Sequence, residues 1–204
     1  MIAIVDYGLG NILAFANVYK RVNIDVMVAR TAAELRGATR IILPGVGAFD
    51  HAMHMLDGSG MRDTLDELVL GARVPVLGVC VGMQILARCS DEGQKAGLGW
   101  IDGRVREFRS IQMERPLPMP HMGWNDVAPL RPNALFRELE TDAKFYFLHS
   151  FFFECVRAED IAATTSYGLE FSSAVASGNI HGVQFHPEKS HHFGAQLLKN
   201  FAEL

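Results

Sequence analysis

Short apolar runs and amphipathic stretches alternate along the first part of the chain. Residues 2–5 form a continuous apolar run, which is typical of a strand buried on both faces of a parallel sheet. Apolar residues from Ile12 to Tyr19 then recur with the i, i+3, i+4, i+7 spacing of a helix that packs one face on a core. Further strands are predicted at 24–29, 40–43 and 74–79, and further helices at 48–56 and 61–70.

The second half of the chain has the pattern of strands with few helices between them. Strands are predicted at 100–108, 124–128, 145–156, 161–165, 172–176 and 180–185. Apolar residues from Phe193 to Leu204 recur at helical spacing and predict a closing amphipathic helix. The three prolines of segment 115–120 predict an exposed loop.

Strands and helices that alternate at this spacing indicate parallel βαβ units. We therefore predict an α/β fold with an open, mostly parallel sheet flanked by helices, as in flavodoxin-like proteins. The C-terminal half should add a strand-rich, antiparallel portion. Ligands of such sheets bind at the carboxyl ends of the strands. The length of 204 residues predicts a single domain that covers residues 1–204.

Composition mainly excludes classes of protein. With 19 Lys and Arg against 23 Asp and Glu, the net charge is -4, which disfavours nucleic-acid binding because phosphates need a cationic surface. No apolar stretch approaches the roughly 18 residues of a membrane span, and the N-terminus has no basic leader, so we predict a cytoplasmic protein that does not contact membranes. The three cysteines lie outside any C-x-x-C pair, and we predict no disulfide framework, metal site or cofactor.

The segment from Gly78 to Gly82 carries the main chemical signal. It places Cys80 between two glycines, after a buried strand and before a helix, which is the arrangement of a nucleophile elbow with sulfur as nucleophile. Cys80 is then expected to stand exposed at the sheet edge beside a helix N-terminus, which favours the thiolate. The alternative is a buried structural cysteine, and this motif alone does not separate the two. Cys89 and Cys155 are interpreted as small core residues.

His186 and Glu188 provide a candidate base and the group that orients it. Pro187 restricts the backbone, so that the side chains at 186 and 188 can project to one side. Glu188 can then hold the imidazole while the imidazole takes the proton of the Cys80 thiol, a triad in the chain order Cys, His, Glu. A solvated His-Pro-Glu turn is the alternative, and the elbow upstream argues against it.

A tetrahedral intermediate on Cys80 would also need N–H donors for its oxyanion. One candidate is the amide of Val81, and the other is the turn of Gly45, Val46 and Gly47 at the end of an adjacent strand. Glycine-rich strand ends also occur as plain tight turns, so the second donor stays open. No phosphate-binding glycine pattern occurs at the strand-to-helix junctions.

Several longer segments resemble class I, or triad, glutamine amidotransferases. The resemblance rests on Gly-Val-Cys-Val-Gly-Met-Gln at 78–84, Pro-Gly-Val-Gly at 44–47, His-Ser at 149–150 and Gly-Val-Gln-Phe-His-Pro-Glu-Lys-Ser at 182–190. Within that class, Tyr-Gly-Leu-Gly-Asn at 7–11 and Pro-His-Met-Gly-Trp-Asn at 120–125 resemble the glutaminase subunits of imidazole glycerol phosphate synthases. The match spans nearly the whole chain in the expected order.

This resemblance implies a glutaminase that releases glutamate and ammonia through a thioester on Cys80, with His186 as proton carrier and Glu188 holding its ring. The implied oxyanion residues are Gly45, Val46, Gly47 and Val81. The implied glutamine-binding residues are Gln84, His149, Ser150 and Phe151.

Members of the family pass their ammonia to a synthase subunit, a β/α barrel that makes imidazole glycerol phosphate and an aminoimidazole carboxamide ribotide. The resemblance therefore implies a heterodimer, in which ammonia moves between subunits before water converts it to ammonium. It also implies that the turn at Val46 is poorly arranged until the synthase is engaged. The implied partner-facing residues are Asn11, Trp124, Asn125, Tyr146 and Lys189.

Three other interpretations stay open. Segments 97–101 and 190–194 resemble a paralogous branch whose ammonia amidinates a surface-polysaccharide sugar, so the sequence does not fix the partner. The chain could also be a non-enzymatic accessory or binding subunit that keeps the fold, although all three triad residue types are present. A stand-alone Cys-His hydrolase is the third interpretation, and it predicts activity without a partner.

Overall fold

The computed structural model of the chain describes residues 1–111 and 117–204. Its strands are β1 (Ile2–Val5), β2 (Val26–Ala29), β3 (Arg40–Gly45), β4 (Val76–Cys80), β5 (Cys89–Ser90), β6 (Gly103–Glu107), β7 (His121–Asp126), β8 (Ala128–Pro129), β9 (Lys144–His149), β10 (Phe151–Cys155), β11 (Ile161–Ser166), β12 (Glu170–Ser177) and β13 (Ile180–Val183). Its α-helices are α1 (Ile12–Arg21), α2 (Ala32–Leu35), α3 (Phe49–Gly58), α4 (Arg62–Asp66), α5 (Val81–Gln84) and α6 (His191–Glu203). Within these described residues, no helix combines the length and the apolar character that crossing a membrane requires.

The strands form one large and one small sheet. The large sheet has the order β2-β1-β3-β4-β13-β12-β10-β6-β5, with β11 paired to β12 and β8 paired to β11. Its first five strands are parallel, whereas β12 pairs antiparallel with β13 and β10, and β10 pairs antiparallel with β6. β7 and β9 form a separate antiparallel pair. The predicted α/β architecture, parallel in its first half and partly antiparallel in its second, is confirmed.

The central parallel strands are apolar throughout because they are covered on both faces. Every residue of β1 and β4 is buried, and α1 and α6 pack beside one another, with Phe15 of α1 and Phe201 of α6 both buried. A capping box begins α2, where the hydroxyl of Thr31 accepts a hydrogen bond from the amide of Glu34 and the Glu34 carboxylate accepts one from the amide of Thr31. These helices and strands bring the carboxyl ends of β3, β4 and β13 together.

Several predicted elements differ in extent from the observed ones; for example, the strand predicted at 100–108 is β6 at Gly103–Glu107, and the strand predicted at 124–128 overlaps the end of β7 and the start of β8. The strand predicted at 24–29 starts two residues later because the amide of Ile24 still bonds to the carbonyl of Tyr19, at 3.0 Å. The helix predicted at 61–70 is α-helical only over Arg62–Asp66, which is α4. It continues as a wider π-helical turn over Glu67–Gly71. Of the exposed loop predicted at 115–120, residues 115 and 116 lie outside the described residues, and the remaining four lie outside helices and strands.

The strand predicted at 145–156 is in fact two strands that belong to different sheets. β9 pairs with β7 in the small sheet, and β10 pairs with β6 and β12 in the large one, with Ser150 between them. The apolar run is continuous across this change because both strands bury one face in the same aromatic core, which includes Phe147 and Phe153. Three of the four residues predicted to bind glutamine, His149, Ser150 and Phe151, therefore lie where the two sheets meet.

The interpretation of Cys89 as a core residue is wrong. Cys89 is exposed, because β5 has only two residues and lies at the end of the large sheet. Cys155 is partly buried, and burial raises the pKa of its thiol to about 12. A thiol reagent should therefore reach Cys89 more easily than Cys155.

His181 is a buried titratable side chain within the large sheet. It lies in β13, is 8% exposed, and its ring centroid is 6.5 Å from that of Phe201 on α6. Burial lowers the pKa of His181 from 6.5 to about 4. The folded protein therefore holds this ring neutral at a pH where the unfolded chain protonates it, so its contribution to stability is lost as the pH falls from about 6.5 towards 4.

Replacing His181 by phenylalanine should flatten the acid side of the stability curve. Below the unfolded pKa, this one group makes the free energy of unfolding fall by up to about 1.4 kcal/mol per pH unit. Urea unfolding at several values between about pH 7 and 4 measures that slope in the wild type and the variant. His54→Gln is the control, since His54 is exposed on α3 and should leave the slope unchanged. Equal slopes in wild type and His181→Phe would contradict the expectation.

Candidate active site

The turn from β4 into α5 holds Cys80 in a strained conformation. Its φ is 55° and its ψ is -114°, in the region of positive φ that few residues other than glycine adopt. A Cβ added to Gly82 would overlap the carbonyl oxygen of Leu43 in β3, and one added to Gly78 would lie 2.5 Å from the carbonyl oxygen of Gly82. The contact therefore requires glycine on both sides of the cysteine, as a nucleophile elbow does.

Cys80 lines a cavity of about 270 Å³ that opens to the surface. The residue is only 5% exposed, so the expectation that it stands exposed at the sheet edge is wrong. It is covered because the turn after β3 and the junction of β9 and β10 line the same cavity and enclose the end of β4. The residues that line the cavity are Val46, Gly47, Cys80, Val81, Gln84, Glu92, Leu148, His149, Ser150, Phe151, His186 and Lys189.

His186 and Glu188 lie beside Cys80 as a hydrogen-bonded pair. His186 comes three residues after β13 and precedes the short 3-10 turn Pro187–Lys189, and the two side chains are 6% and 2% exposed. Nδ1 of His186 is 2.9 Å from Oε1 of Glu188. The Cys80 side chain lines the same cavity as the imidazole and is close enough to raise its pKa. Carboxylate, imidazole and sulfur therefore form one chain of neighbouring groups.

The charges along this chain favour a protonated imidazole. Burial lowers the pKa of His186, but the hydrogen bonds to Cys80 and Glu188, together with their negative charges, outweigh it and raise the pKa to about 10. An imidazolium beside the sulfur stabilises the thiolate, which is the nucleophilic form of cysteine. The geometry can therefore hold an ion pair that is ready for attack on a carbonyl carbon.

Three of the four predicted oxyanion residues line the cavity with Cys80. Val46 and Gly47 reach it from the turn after β3, where Gly47 has a φ of 86°, and Val81 reaches it from the first position of α5. Gly45 is paired in register with Cys80 and lies against the backbone at the start of α5. It therefore supports the turn from behind instead of lining the cavity.

The four predicted glutamine-binding residues all line the cavity. The carbonyl oxygen of Phe151 accepts a hydrogen bond from Nε2 of Gln84 at 3.2 Å and lies 2.7 Å from Nδ1 of His149. A carbonyl oxygen has two lone pairs, so both acceptor positions of Phe151 are engaged by the protein. This carbonyl therefore shapes the wall of the cavity, and a ligand would have to contact other atoms of the four predicted glutamine-binding residues.

A further histidine, His121, supports this wall and was not singled out from the sequence. Its Nδ1 lies 2.9 Å from Nε2 of His149, and its ring stacks between Phe147 and Tyr167 at centroid distances of 4.7 and 4.0 Å. Nδ1 of His149 donates to the Phe151 carbonyl, so its Nε2 accepts and His121 donates. Burial lowers the pKa of His149 to about 3 and that of His121 to about 4, which keeps both rings neutral.

Gln184 and Glu92 also belong to the site without having been predicted. Gln184 is fully buried, with Nε2 3.8 Å from Sγ of Cys80, and Glu92 lines the cavity while accepting the amide of Phe49 at 2.8 Å. Strand alternation could have identified Gln184, since residue 184 falls on the same side of an extended chain as residue 186. Glu92 carries no such signal because it lies in the loop after β5.

Three of the predicted partner-facing residues, Trp124, Tyr146 and Lys189, form a surface beside the cavity, which Lys189 also lines. Trp124 is 46% exposed and lies edge-on to Tyr146, with ring centroids 6.3 Å apart. Nζ of Lys189 lies 5.7 Å from the centroid of the Tyr146 ring. His191 adds to this surface by stacking on Trp124 at 5.1 Å, with 3° between the ring planes. We call Trp124, Tyr146, Lys189 and His191 the Trp124 face.

The other two predicted partner-facing residues are placed differently. Asn125 turns inward, and its Nδ2 lies 3.2 Å from Nε2 of His121 and donates to the carbonyl of Ser166 at 3.0 Å. Asn11 is exposed immediately before α1. The structure thus makes Asn125 part of the support for the cavity wall. Across residues 1–111 and 117–204, no group of three or more His, Cys, Asp or Glu side chains is arranged to hold a metal ion.

A buried cysteine on an elbow, beside a hydrogen-bonded His-Glu pair at the carboxyl ends of parallel strands, is the arrangement typical of a thiol-nucleophile site in an α/β protein. The chain belongs to the family of class I glutamine amidotransferases, since the family model described as "Glutamine amidotransferase class-I" matches residues 3–204. A crystal structure of a glutamine amidotransferase has the same fold, with a TM-score of 0.73 at 19% identity, covering 99% of this chain and 97% of that one.

Two relatives that match this chain over their whole length indicate a narrower group within the family. The chain is 66% identical over 204 residues to a protein of Bdellovibrio bacteriovorus named imidazole glycerol phosphate synthase subunit HisH, covering 100% of both chains. It is 52% identical to a protein of the same name from Leptospira interrogans, again covering 100% of both.

Substituting Gly82 by alanine should destabilise the fold, because the added Cβ would overlap the backbone of Leu43. Neither β3 nor the elbow can move away from this overlap without a cost in free energy. We expect a loss of at least about 2 kcal/mol in the free energy of unfolding, measured with urea. The matched control is Gly58→Ala in α3, where a Cβ has nothing within 4 Å and helix propensity improves by about 0.5–1 kcal/mol. A Gly82→Ala protein as stable as the wild type would show that the elbow does not need this contact.

Proposed function

We propose that the protein is the glutaminase subunit of an imidazole glycerol phosphate synthase, and that residues 1–204 act as one glutaminase domain. It would hydrolyse glutamine to glutamate and ammonia and pass the ammonia to a synthase subunit for histidine biosynthesis. The observation that carries the proposal is that the hydrogen-bonded pair of Glu188 and His186 lies beside Cys80, in a cavity lined by the predicted glutamine-binding residues.

The first half of the reaction forms a thioester. The sulfur of Cys80 attacks the side-chain carboxamide carbon of glutamine, and the carbonyl electron pair moves to oxygen, where the amide of Val81 and the turn after β3 stabilise it. His186 gives its proton to the nitrogen, the C–N bond breaks, and ammonia leaves. Glu188 keeps the imidazole in place and balances its charge during both proton transfers.

The second half of the reaction releases glutamate. Water attacks the thioester carbon while the now neutral His186 takes a proton from it. The C–S bond then breaks, glutamate leaves, and Cys80 returns to the thiolate beside an imidazolium. The starting state is restored, and one glutamine and one water have become one glutamate and one ammonia.

Charge and shape of the cavity suit a free amino acid. Glu92 and Lys189 both line it, so one acidic and one basic side chain are available for the ammonium and carboxylate groups of glutamine. Burial raises the pKa of Glu92, although the amide of Phe49 opposes this. His149 stays neutral and adds no competing charge. A glutamine side chain within a protein lacks those two charged groups and would be selected against.

The surroundings of the cavity are suited to a partner that excludes water. Val46 and Leu148 line the cavity and are also 40% and 38% exposed, so apolar side chains rim its opening. Trp124 and Met122, at 46% and 64% exposed, lie on β7 beside β9, the strand that carries Leu148. A synthase subunit, which we propose to be a β/α barrel in a heterodimer, would cover this region and receive ammonia before it is protonated. A cytoplasmic location stays a prediction.

The names of the relatives favour this partner over a sugar-amidinating one, since both described above are imidazole glycerol phosphate synthase subunits at 66% and 52% identity. One of the two segments that suggested the other branch, 190–194, includes His191, and this residue stacks on Trp124 within the Trp124 face. A non-enzymatic subunit would need neither a buried His-Glu pair nor a cysteine beside it in the same cavity.

A diazoketone analogue of glutamine, which alkylates thiols, should label Cys80 and leave Cys89 free, although Cys89 is the exposed thiol. Selective labelling is expected because only Cys80 has both a glutamine cavity and an adjacent imidazole. Mass spectrometry of the separate cysteine peptides measures it, with Cys80→Ser as the control. Labelling of Cys89 alone, or of no cysteine even with the synthase subunit present, would favour a non-enzymatic binding module.

Glutamine turnover should be slow for the isolated chain and should rise at least about tenfold when the synthase subunit is added, because the open rim admits water and leaves the oxyanion turn unsupported.

Trp124→Ala should weaken binding of that subunit by roughly thirtyfold or more, as for a central aromatic hot spot. Titration of glutaminase activity with the synthase subunit measures both effects. Val156→Ala is the matched control, since Val156 is 70% exposed and lies just past the end of β10. Vigorous partner-free activity would favour the stand-alone hydrolase.

A further inference from the structure

Gln184 has no role in the mechanism given above, yet it is the polar side chain buried most deeply beside Cys80. It follows the end of β13 and has no exposed surface. Its backbone amide bonds to the carbonyl of Ser173 at 2.9 Å, which continues the pairing of the large sheet past β13. The backbone is therefore fixed, and the side-chain amide is directed into the interior between Cys80 and Gln84.

The hydrogen bonds around Gln184 determine which end of its amide faces the sulfur. Nε2 of Gln84 donates to Oε1 of Gln184 at 3.0 Å and to the carbonyl of Phe151 at 3.2 Å. A carbonyl accepts only, so the Gln84 group next to it must be the NH₂, and the Gln184 atom facing that NH₂ must be the oxygen. Nε2 of Gln184 is then left pointing at Sγ of Cys80, at 3.8 Å.

An amide donor at this place has a chemical use. The sulfur of Cys80 carries negative charge before attack and again when the thioester breaks, and a hydrogen bond to a charged acceptor is stronger than one to a neutral acceptor. His186 alternates between its charged and neutral forms during the reaction, whereas an amide donates in every step. The desolvation that accompanies complete burial makes such a donor more effective.

We propose that Gln184 is an additional catalytic residue that donates a hydrogen bond to the sulfur of Cys80 and, through Gln84, ties the nucleophile to the wall of the glutamine cavity. The inference rests on the proposed function only for its effect on turnover. Its effect on the thiol itself is independent of the substrate. A purely structural role, in which Gln184 only satisfies Gln84, is the alternative to be tested.

The test uses the full chain and compares Gln184→Met, which keeps the length but removes the donor, with Gln184→Glu, which keeps the shape but places an acceptor near the sulfur. The rate of Cys80 alkylation by iodoacetamide is followed by mass spectrometry of the Cys80 peptide over a range of pH. We expect Cys80 of both variants to react about tenfold more slowly at neutral pH, and the dependence of the alkylation rate on pH to be displaced to higher pH. With the synthase subunit added, kcat for glutamine should fall by a similar factor, and KM by less than about threefold in either direction.

Gln196→Met is the matched control, because Gln196 bonds to Asn200 within α6 and should leave alkylation and turnover unchanged. Wild-type alkylation rates and pH profiles in folded Gln184 variants would overturn the inference, and so would a change confined to KM. If neither variant folds, the side-chain amide resonances of Gln184 in the wild-type chain decide: alkylation of Cys80 should shift them and leave those of Gln196 in place. An unshifted Gln184 amide would overturn the inference. Lack of glutaminase activity in the wild type would instead reject the proposed function, and the alkylation result would stand.

Discussion

The contact between the start of α5 and the end of β3 is the constraint on which the site depends. Because Gly82 lies against the carbonyl of Leu43, the helix begins directly at the strand end and Cys80 is forced to a positive φ. β4 is paired on both sides, with β3 and with β13, and this pairing holds the strain in place. One neighbouring strand then contributes the turn with Val46, and the other leads to His186.

Neutral and charged groups are separated within the site. The imidazole of His186 is held charged between Cys80 and Glu188, whereas His149 and His121, a short distance away, are held neutral by burial and by each other. The same residue type thus has opposite protonation states because one ring faces anionic partners and the others face a carbonyl and an amide. His149 does not compete with His186 for the proton of the Cys80 thiol, because protonating His149 would break its hydrogen bond with His121.

Much of the fold follows from the sequence, since strands buried on both faces must be continuously apolar and amphipathic helices must alternate with them. The elbow and the His-Pro-Glu segment are local patterns, so their residues were identifiable without a structure. The burial of these residues could not be identified in this way. Whether Cys80 is covered depends on loops from two other strands, and Cys89 is exposed because β5 is an edge strand. The contact of Gln84 with Gln184 joins residues 100 positions apart and leaves no local pattern. The change of sheet at Ser150 is hidden because the apolar run continues through it.

The division between β9 and β10 falls within the cavity wall that the residues predicted to bind glutamine form. His149 belongs to the small sheet and Phe151 to the large one, so the cavity has one wall on each of two bodies joined at Ser150. β7, which carries Trp124 and Asn125, is tied to His149 through the ring of His121. The amide of His186 also donates to the carbonyl of Tyr146 on β9, so the small sheet is tied to both sides of the cavity, and the width of the cavity depends on how the two sheets pack against each other.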